Sequence, residues 1–148
     1  MFPIFPISSE SESESAASIT QTPSNILVVE DDSEIRSLTR TFLEHEGFHV
    51  YTSGDAERAA QIFHRAPHID LLITDYYLPR RSGMDLAIEL KSLRPTLPIL
   101  VISGAFLDAL QLDQLRSHGW NFLAKPFSLP QLLANVHQIF QLLQTHVR

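Results

Sequence analysis

Leu71-Leu72-Ile73-Thr74-Asp75-Tyr76-Tyr77-Leu78-Pro79 is an apolar run that ends in a single carboxylate and is stopped by a proline. A run of this length with a turn signal behind it suits a strand buried on both faces, with Asp75 at its carboxyl end. In an open parallel sheet, that edge is where ligands bind and chemistry takes place. Three other stretches feed the same edge. Ile26-Leu27-Val28-Val29 runs into Glu30-Asp31-Asp32, Ile99-Leu100-Val101-Ile102 runs into Ser103-Gly104, and Phe122-Leu123-Ala124 runs into Lys125-Pro126. Acid, acid, hydroxyl and amine thus each follow a different strand.

Between these strands the apolar residues recur at helical spacing. A helix after the first strand carries Ile35, Leu38, Phe42 and Leu43 on one face and ends near Gly47, with Asp32 or Ser33 as its cap. Phe48 to Thr52 is a short second strand. Asp55 opens a helix with Ala56, Ala59, Ala60, Ile62 and Phe63 on its apolar side, ended by Pro67. A polar Arg80-Arg81-Ser82-Gly83 loop, read as solvated rather than as a phosphate clamp, leads to a helix with Met84, Leu86, Ala87, Leu90 and Leu93. Phe106, Leu107, Leu110, Leu112 and Leu115 mark the fourth helix. Ser128 caps the fifth, with Pro130 in its first turn, where a missing donor costs little. Five strand-helix repeats imply right-handed crossovers and helices on both faces of a parallel sheet. The expected fold is α/β, a flavodoxin-like doubly wound sheet in the order 2-1-3-4-5, whose switch point brings Glu30, Asp31 and Asp75 to one crevice.

The acids after strand one, Asp75 after strand three, Ser103 after strand four and Lys125-Pro126-Phe127 after strand five resemble the receiver domain of two-component response regulators, the CheY-like superfamily. The resemblance covers roughly Asn25 to the C-terminus. It implies that Asp75 is a phosphoacceptor, receiving a phosphoryl group from a phosphohistidine on a histidine kinase or phosphotransfer protein. It also implies that Asp31, Asp75 and the backbone carbonyl of Tyr77 hold Mg²⁺, with Glu30 acting mainly through water. Lys125 and Ser103 would contact the phosphoryl oxygens, Phe122 would stand at the aromatic switch position, and Lys125-Pro126 would be a cis peptide. The chemistry is consistent with this. Neighbouring carboxylates repel by roughly 4 kcal/mol per pair at about 4 Å for an effective dielectric near 20, so a cation is needed. Mg²⁺ takes oxygen ligands, and the sequence offers no nitrogen or sulfur cage for a softer metal.

The 148 residues suit one domain, with residues 25–148 as the receiver and 1–24 as a disordered tail rich in Ser and Glu. No effector domain is expected behind the last helix, so the chain is read as a stand-alone receiver or one excised from a larger protein. Three of the glutamates behind the net charge of -6 lie in the tail, and no basic stripe is available for nucleic acid. The chain has no cysteine, which excludes disulfides and thiolate chemistry. A soluble cytoplasmic protein without membrane contact is expected. His64 and His68 are four apart, but Pro67 between them destroys a shared helical face, so no histidine metal site is expected.

Competing readings fit less well. A dehalogenase-like phosphatase needs a second aspartate where Tyr77 stands, and a nucleotide or flavin binder needs a phosphate loop where the chain has acids. Apart from self-phosphorylation and dephosphorylation, no enzymatic activity is expected. The alternative is a pseudo-receiver, an interaction module independent of phosphorylation. The final helix carries Leu129, Leu132, Leu133, Val136, Ile139, Phe140, Leu143 and Val147 on one stripe, with Leu142 outside it. Its other side is uncharged: Gln131, Asn135, Gln138, Gln141 and Gln144. Interface cores are depleted in charge. The resemblance implies that the fourth helix, fifth strand and fifth helix form the surface that phosphorylation alters, so this face is expected to dock a downstream protein or a second copy, with Trp120 near its rim.

Overall fold

The computed structural model describes residues 24–104 and 106–147, so the expectation of a disordered tail falls on residues outside those described, except Ser24. Five parallel strands form one sheet: β1 (Asn25–Val29), β2 (His49–Ser53), β3 (Leu71–Asp75), β4 (Ile99–Ser103) and β5 (Asn121–Ala124). Their order is β2-β1-β3-β4-β5, as the repeat pattern predicts. The helices α1 (Ser33–His45), α2 (Ala56–Arg65), α3 (Gly83–Leu93), α4 (Ala109–His118) and α5 (Leu129–Val147) alternate with the strands.

Side chains alternate across the sheet, so each strand feeds two cores. Leu27, Val29, Leu72, Ile99 and Val101 pack with Ala56 and Ala59 of α2, with Leu86, Ala87 and Leu90 of α3, and with Leu115 of α4. On the opposite face Ile26, Val28, Leu71, Ile73, Leu100 and Ile102 meet Leu43 of α1 and Leu132, Val136 and Ile139 of α5. Fully burying a side chain such as Leu or Ile contributes about 1.5–3 kcal/mol, which makes the sheet the rigid platform for its carboxyl edge.

Local signals set the helix ends. The Asp32, Asp55 and Ser82 side chains accept backbone amides at the starts of α1, α2 and α3. Ser128 and Gln131 exchange side chain-to-backbone bonds at the start of α5. Gly119 ends α4 at φ 72, a conformation glycine adopts without penalty.

Four expectations of burial need correcting. Leu38 does not face the core: Thr39 and Leu43, one turn apart, take the buried line of α1 and leave Leu38 58 % exposed. The fourth helix starts late, because Asp108 and Gln111 form a capping box, so Phe106 lies exposed in the preceding loop and Leu110 points outward. Trp120 is core, not rim; it is buried and stacks on His118 at a centroid distance of 4.3 Å. Leu93, the last residue of α3, and Leu143, near the end of α5, are exposed rather than in the core.

The turn after β3 depends on Gly83. Its amide donates to the Tyr76 carbonyl at 2.8 Å, drawing α3 against the strand end. A Cβ there would collide with the backbone carbonyl of Asp75 and lie 2.8 Å from Thr74 Oγ1. Gly83→Ala should therefore lower unfolding free energy by about 2–3 kcal/mol through backbone displacement, measured by urea denaturation. A loss below about 0.5 kcal/mol, the scale of a neutral surface change, would show that the turn can relax.

Candidate functional site

Parallel pairing in register aligns the ends of β1, β3 and β4, and β5 follows β4. The residues that leave these strands are Glu30, Asp75, Ser103 and Lys125, so the groups separated by up to 95 positions meet at one edge. Glu30, Asp75 and Ser103 are buried and Asp31 is exposed. One oxygen from each of Glu30, Asp31 and Asp75 can be chosen so that all lie within 4.8 Å of one another.

Lys125 joins the buried acids. Its Nζ donates to Glu30 Oε1 at 2.8 Å and lies 3.0 and 3.2 Å from the two Asp75 oxygens. Its backbone amide donates to the Ser103 carbonyl, tying β5 to β4, and the Lys125-Pro126 peptide is cis, as the resemblance implied.

One ammonium cannot neutralise two buried carboxylates, and the protonation balance reflects this. Burial pushes the Asp75 carboxyl up to about 8, and the hydrogen bond and charge of Glu30 push the same way, against the pull of Lys125. Burial also acts to raise Glu30, but bonds to Asp75, Lys125 and the Asp32 amide outweigh it and hold that carboxyl below its ordinary value. For Lys125, burial opposes the ammonium, yet the two acids hold its pKa above the usual lysine value. The site thus lacks positive charge. An all-oxygen donor set in that condition suits a hard divalent cation such as Mg²⁺.

Several neighbours of the site were not legible from strand-end motifs. Arg36 Nη1 donates to the Glu30 carbonyl at 2.7 Å and approaches the Asp31 carbonyl at 3.5 Å, bracing the acidic loop from α1. Thr74 Oγ1 donates to the Asp75 carbonyl at 3.0 Å. Tyr77 is half exposed, lies against the Tyr76 ring, and accepts a hydrogen bond from Gln111 Nε2 at 2.9 Å through its hydroxyl. The same Gln111 side chain caps α4, so the turn after Asp75 is latched to that helix. Sequence offers no signal for a contact spanning 34 residues. Arg80 and Arg81 pair with Asp55 at 3.5 Å and Glu89 at 2.6 Å, not with the acids of the site. Phe122 is half-buried against the core on the α2–α4 side of the sheet.

The fold recurs in known proteins. A profile of the response regulator receiver domain matches residues 26–137. The transcriptional regulatory protein CpxR of Escherichia coli K12 is 33% identical over 118 residues, covering 78% of this chain and 49% of CpxR. The cell cycle transcriptional regulator CtrA of Caulobacter vibrioides is 26% identical over 123 residues, 83% of this chain and 53% of CtrA. The chain thus spans about half the length of these curated relatives. Among solved structures, a response regulator receiver protein from Pseudomonas putida matches with TM-score 0.74 and 30% identity, over 80% of this chain and 99% of that one. A CheY-like receiver domain protein from Methanospirillum hungatei shares the fold with TM-score 0.78 at 22% identity, over 84% of this chain and 99% of that one. On this evidence the chain belongs to the response regulator receiver domain family of two-component signalling.

Proposed function

We propose that this receiver accepts a phosphoryl group on Asp75 from a phosphohistidine of a histidine kinase or phosphotransfer protein. The observation that carries the reading is the buried Asp75 carboxylate held by Lys125 beside two further acids at the sheet edge. An Asp75 oxygen attacks phosphorus as the bond to the histidine nitrogen breaks, and the imidazole leaves with that electron pair. Such transfers depend mainly on positioning and electrostatics, which a fixed sheet edge provides. Asp31, Asp75 and the Tyr77 carbonyl would hold Mg²⁺ directly and Glu30 through water; when bound, the ion offsets the charge on the phosphoryl oxygens. Lys125 exchanges part of its contact with the acids for a phosphoryl oxygen. Ser103 moves toward another, and Phe122 turns into the space this leaves. The protein is a phosphoacceptor rather than an enzyme with a separate substrate, and a cytoplasmic location goes with that partner chemistry.

Output is assigned to the face of α4, β5 and α5. Leu110 and Leu142 are 69 % and 50 % exposed there, beside the uncharged Gln138. The alternative of a phosphorylation-independent interaction module has no geometric observation in its favour.

Acetyl phosphate with Mg²⁺ should add the mass of one phosphoryl group to the intact protein. Asp75→Asn or removal of Mg²⁺ by chelation should abolish the gain, and a mutant that still gains it would remove Asp75 from the role.

The Tyr77 ring, latched by Gln111, borders the approach of water to Asp75. Replacing Tyr77 by a small polar residue should accelerate loss of phosphate several-fold, and Gln111→Ala should do so more weakly. Unchanged decay in both, followed by intact mass over time, would show that the ring does not shield the bond.

Binding of the phosphate mimic beryllofluoride should promote association through the output face. Sedimentation should report a larger particle with the mimic, reversed by Leu142→Glu and Gln138→Glu. No change in particle mass in any of these would leave only a separate partner protein as the target of that face.

A further inference from the structure

The outer edge of β2 and the adjoining side of α2 form a surface the phosphorylation site does not use. A groove of about 280 Å³ there is lined by Tyr51, Arg58, Gln61, Ile62, Arg65 and Pro67, among others. Arg58 and Arg65 are exposed. Among the described residues, every other lysine and arginine side chain has a carboxylate, carbonyl or histidine partner. The two guanidiniums without one lie in this single groove.

Among the described residues, no strand pairs with the outer side of the strand beside the groove, since β2 stands at the end of the sheet. The His49 amide donates to the Ser24 carbonyl and the Ser53 carbonyl accepts from the Glu30 amide, both toward β1. Backbone groups alternate along a strand, so those of Val50 and Thr52 face the open edge.

We propose that the Ser-Glu run of the chain's own N-terminal segment, Ser9 to Ser15, docks along this edge with its glutamates on Arg58 and Arg65. The charges of the two segments are complementary. Residues 1–24 hold Glu10, Glu12 and Glu14 and no lysine or arginine. In an extended chain these alternating glutamates share one face, with Glu10 and Glu14 about 13 Å apart. Arg58 and Arg65, seven residues apart on α2, are separated by about 10.5 Å along the helix axis, within that span.

The reach of the segment fits as well. The groove ends at Pro67, and Asn25 Nδ2 donates to the carbonyl of the next residue, His68, at 2.7 Å. The described chain therefore begins beside the lower end of the groove. The eight residues from Ala16 to Pro23 extend to about 27 Å, ample for a turn that sends the acidic run up the β2 edge, antiparallel to it. An exposed sheet edge is a hazard for pairing with other chains, and a charged cover in cis removes it.

The chain lacks cysteine, so Ser11→Cys places a single nitroxide on the full-length protein. Amide signals of Val50, Thr52 and residues 58–65 should lose about half their intensity at low salt and recover in about 1 M salt, where the screening length is about 3 Å. Arg58→Glu with Arg65→Glu should abolish the effect, with the rest of the amide spectrum as the control for folding. Adding Glu10→Arg, Glu12→Arg and Glu14→Arg to that double variant should restore it. Broadening that is uniform, centred elsewhere, or insensitive to the charge reversals overturns the proposal. Mixing spin-labelled unenriched protein with isotope-labelled protein lacking the nitroxide tests docking between copies; broadening of the same strength in that mixture overturns the cis form.

Discussion

The ammonium of Lys125 sits between two buried carboxylates that come from different strands, and the arrangement of the sheet edge depends on that contact. Without it, Glu30 and Asp75 would be like charges in a poorly solvated cleft, at a cost of several kcal/mol. With it, a single positive charge is shared between them, and Asp75 remains short of compensation. The edge is therefore held in a state that added positive charge relieves. The same lysine bonds through its backbone to Ser103, so the end of β5 is joined to β4 as well as to the acids.

That edge is held because β1, β3 and β4 beneath it are buried on both faces. Three helices cover one side and two cover the other, and the strands read as near-continuous aliphatic runs for that reason. Gly83 extends this packing into the turn after Asp75, since its lack of a side chain lets the start of α3 close on the strand end. By contrast, the Tyr77 ring is half exposed and reaches α4 through one hydrogen bond to Gln111. A hydrogen bond of this exposed kind can exchange with water at low cost.

The two ends of the sheet differ in how they are finished. β5 is followed at once by Lys125, whose side chain belongs to the site, whereas among the described residues β2 has an open backbone edge flanked by two guanidiniums without an acidic partner. Electrostatics on these two flanks work in different regimes. The Lys125 pairs are partly buried and short, while Arg58 and Arg65 are exposed, where salt screens charge.

Much of the protein follows from its sequence alone. Aliphatic runs ending in Glu30-Asp31, Asp75, Ser103 and Lys125 specify four of the five strands and the polar groups at their ends, because a strand covered on both faces selects apolar side chains along its length. Capping residues such as Asp32 and Ser128 mark helix starts for an equally local reason, the need of orphan amides for an acceptor. Tertiary structure alone decided the rest. That Thr39 rather than Leu38 turns inward depends on where α1 lies on the sheet, and that Trp120 is core depends on α4 stopping at Gly119. Arg36, Gln111 and Gly83 serve the site through contacts with groups distant in the chain or on another element. Such contacts are set by the packing of helices against the sheet, and no periodicity in the chain encodes them.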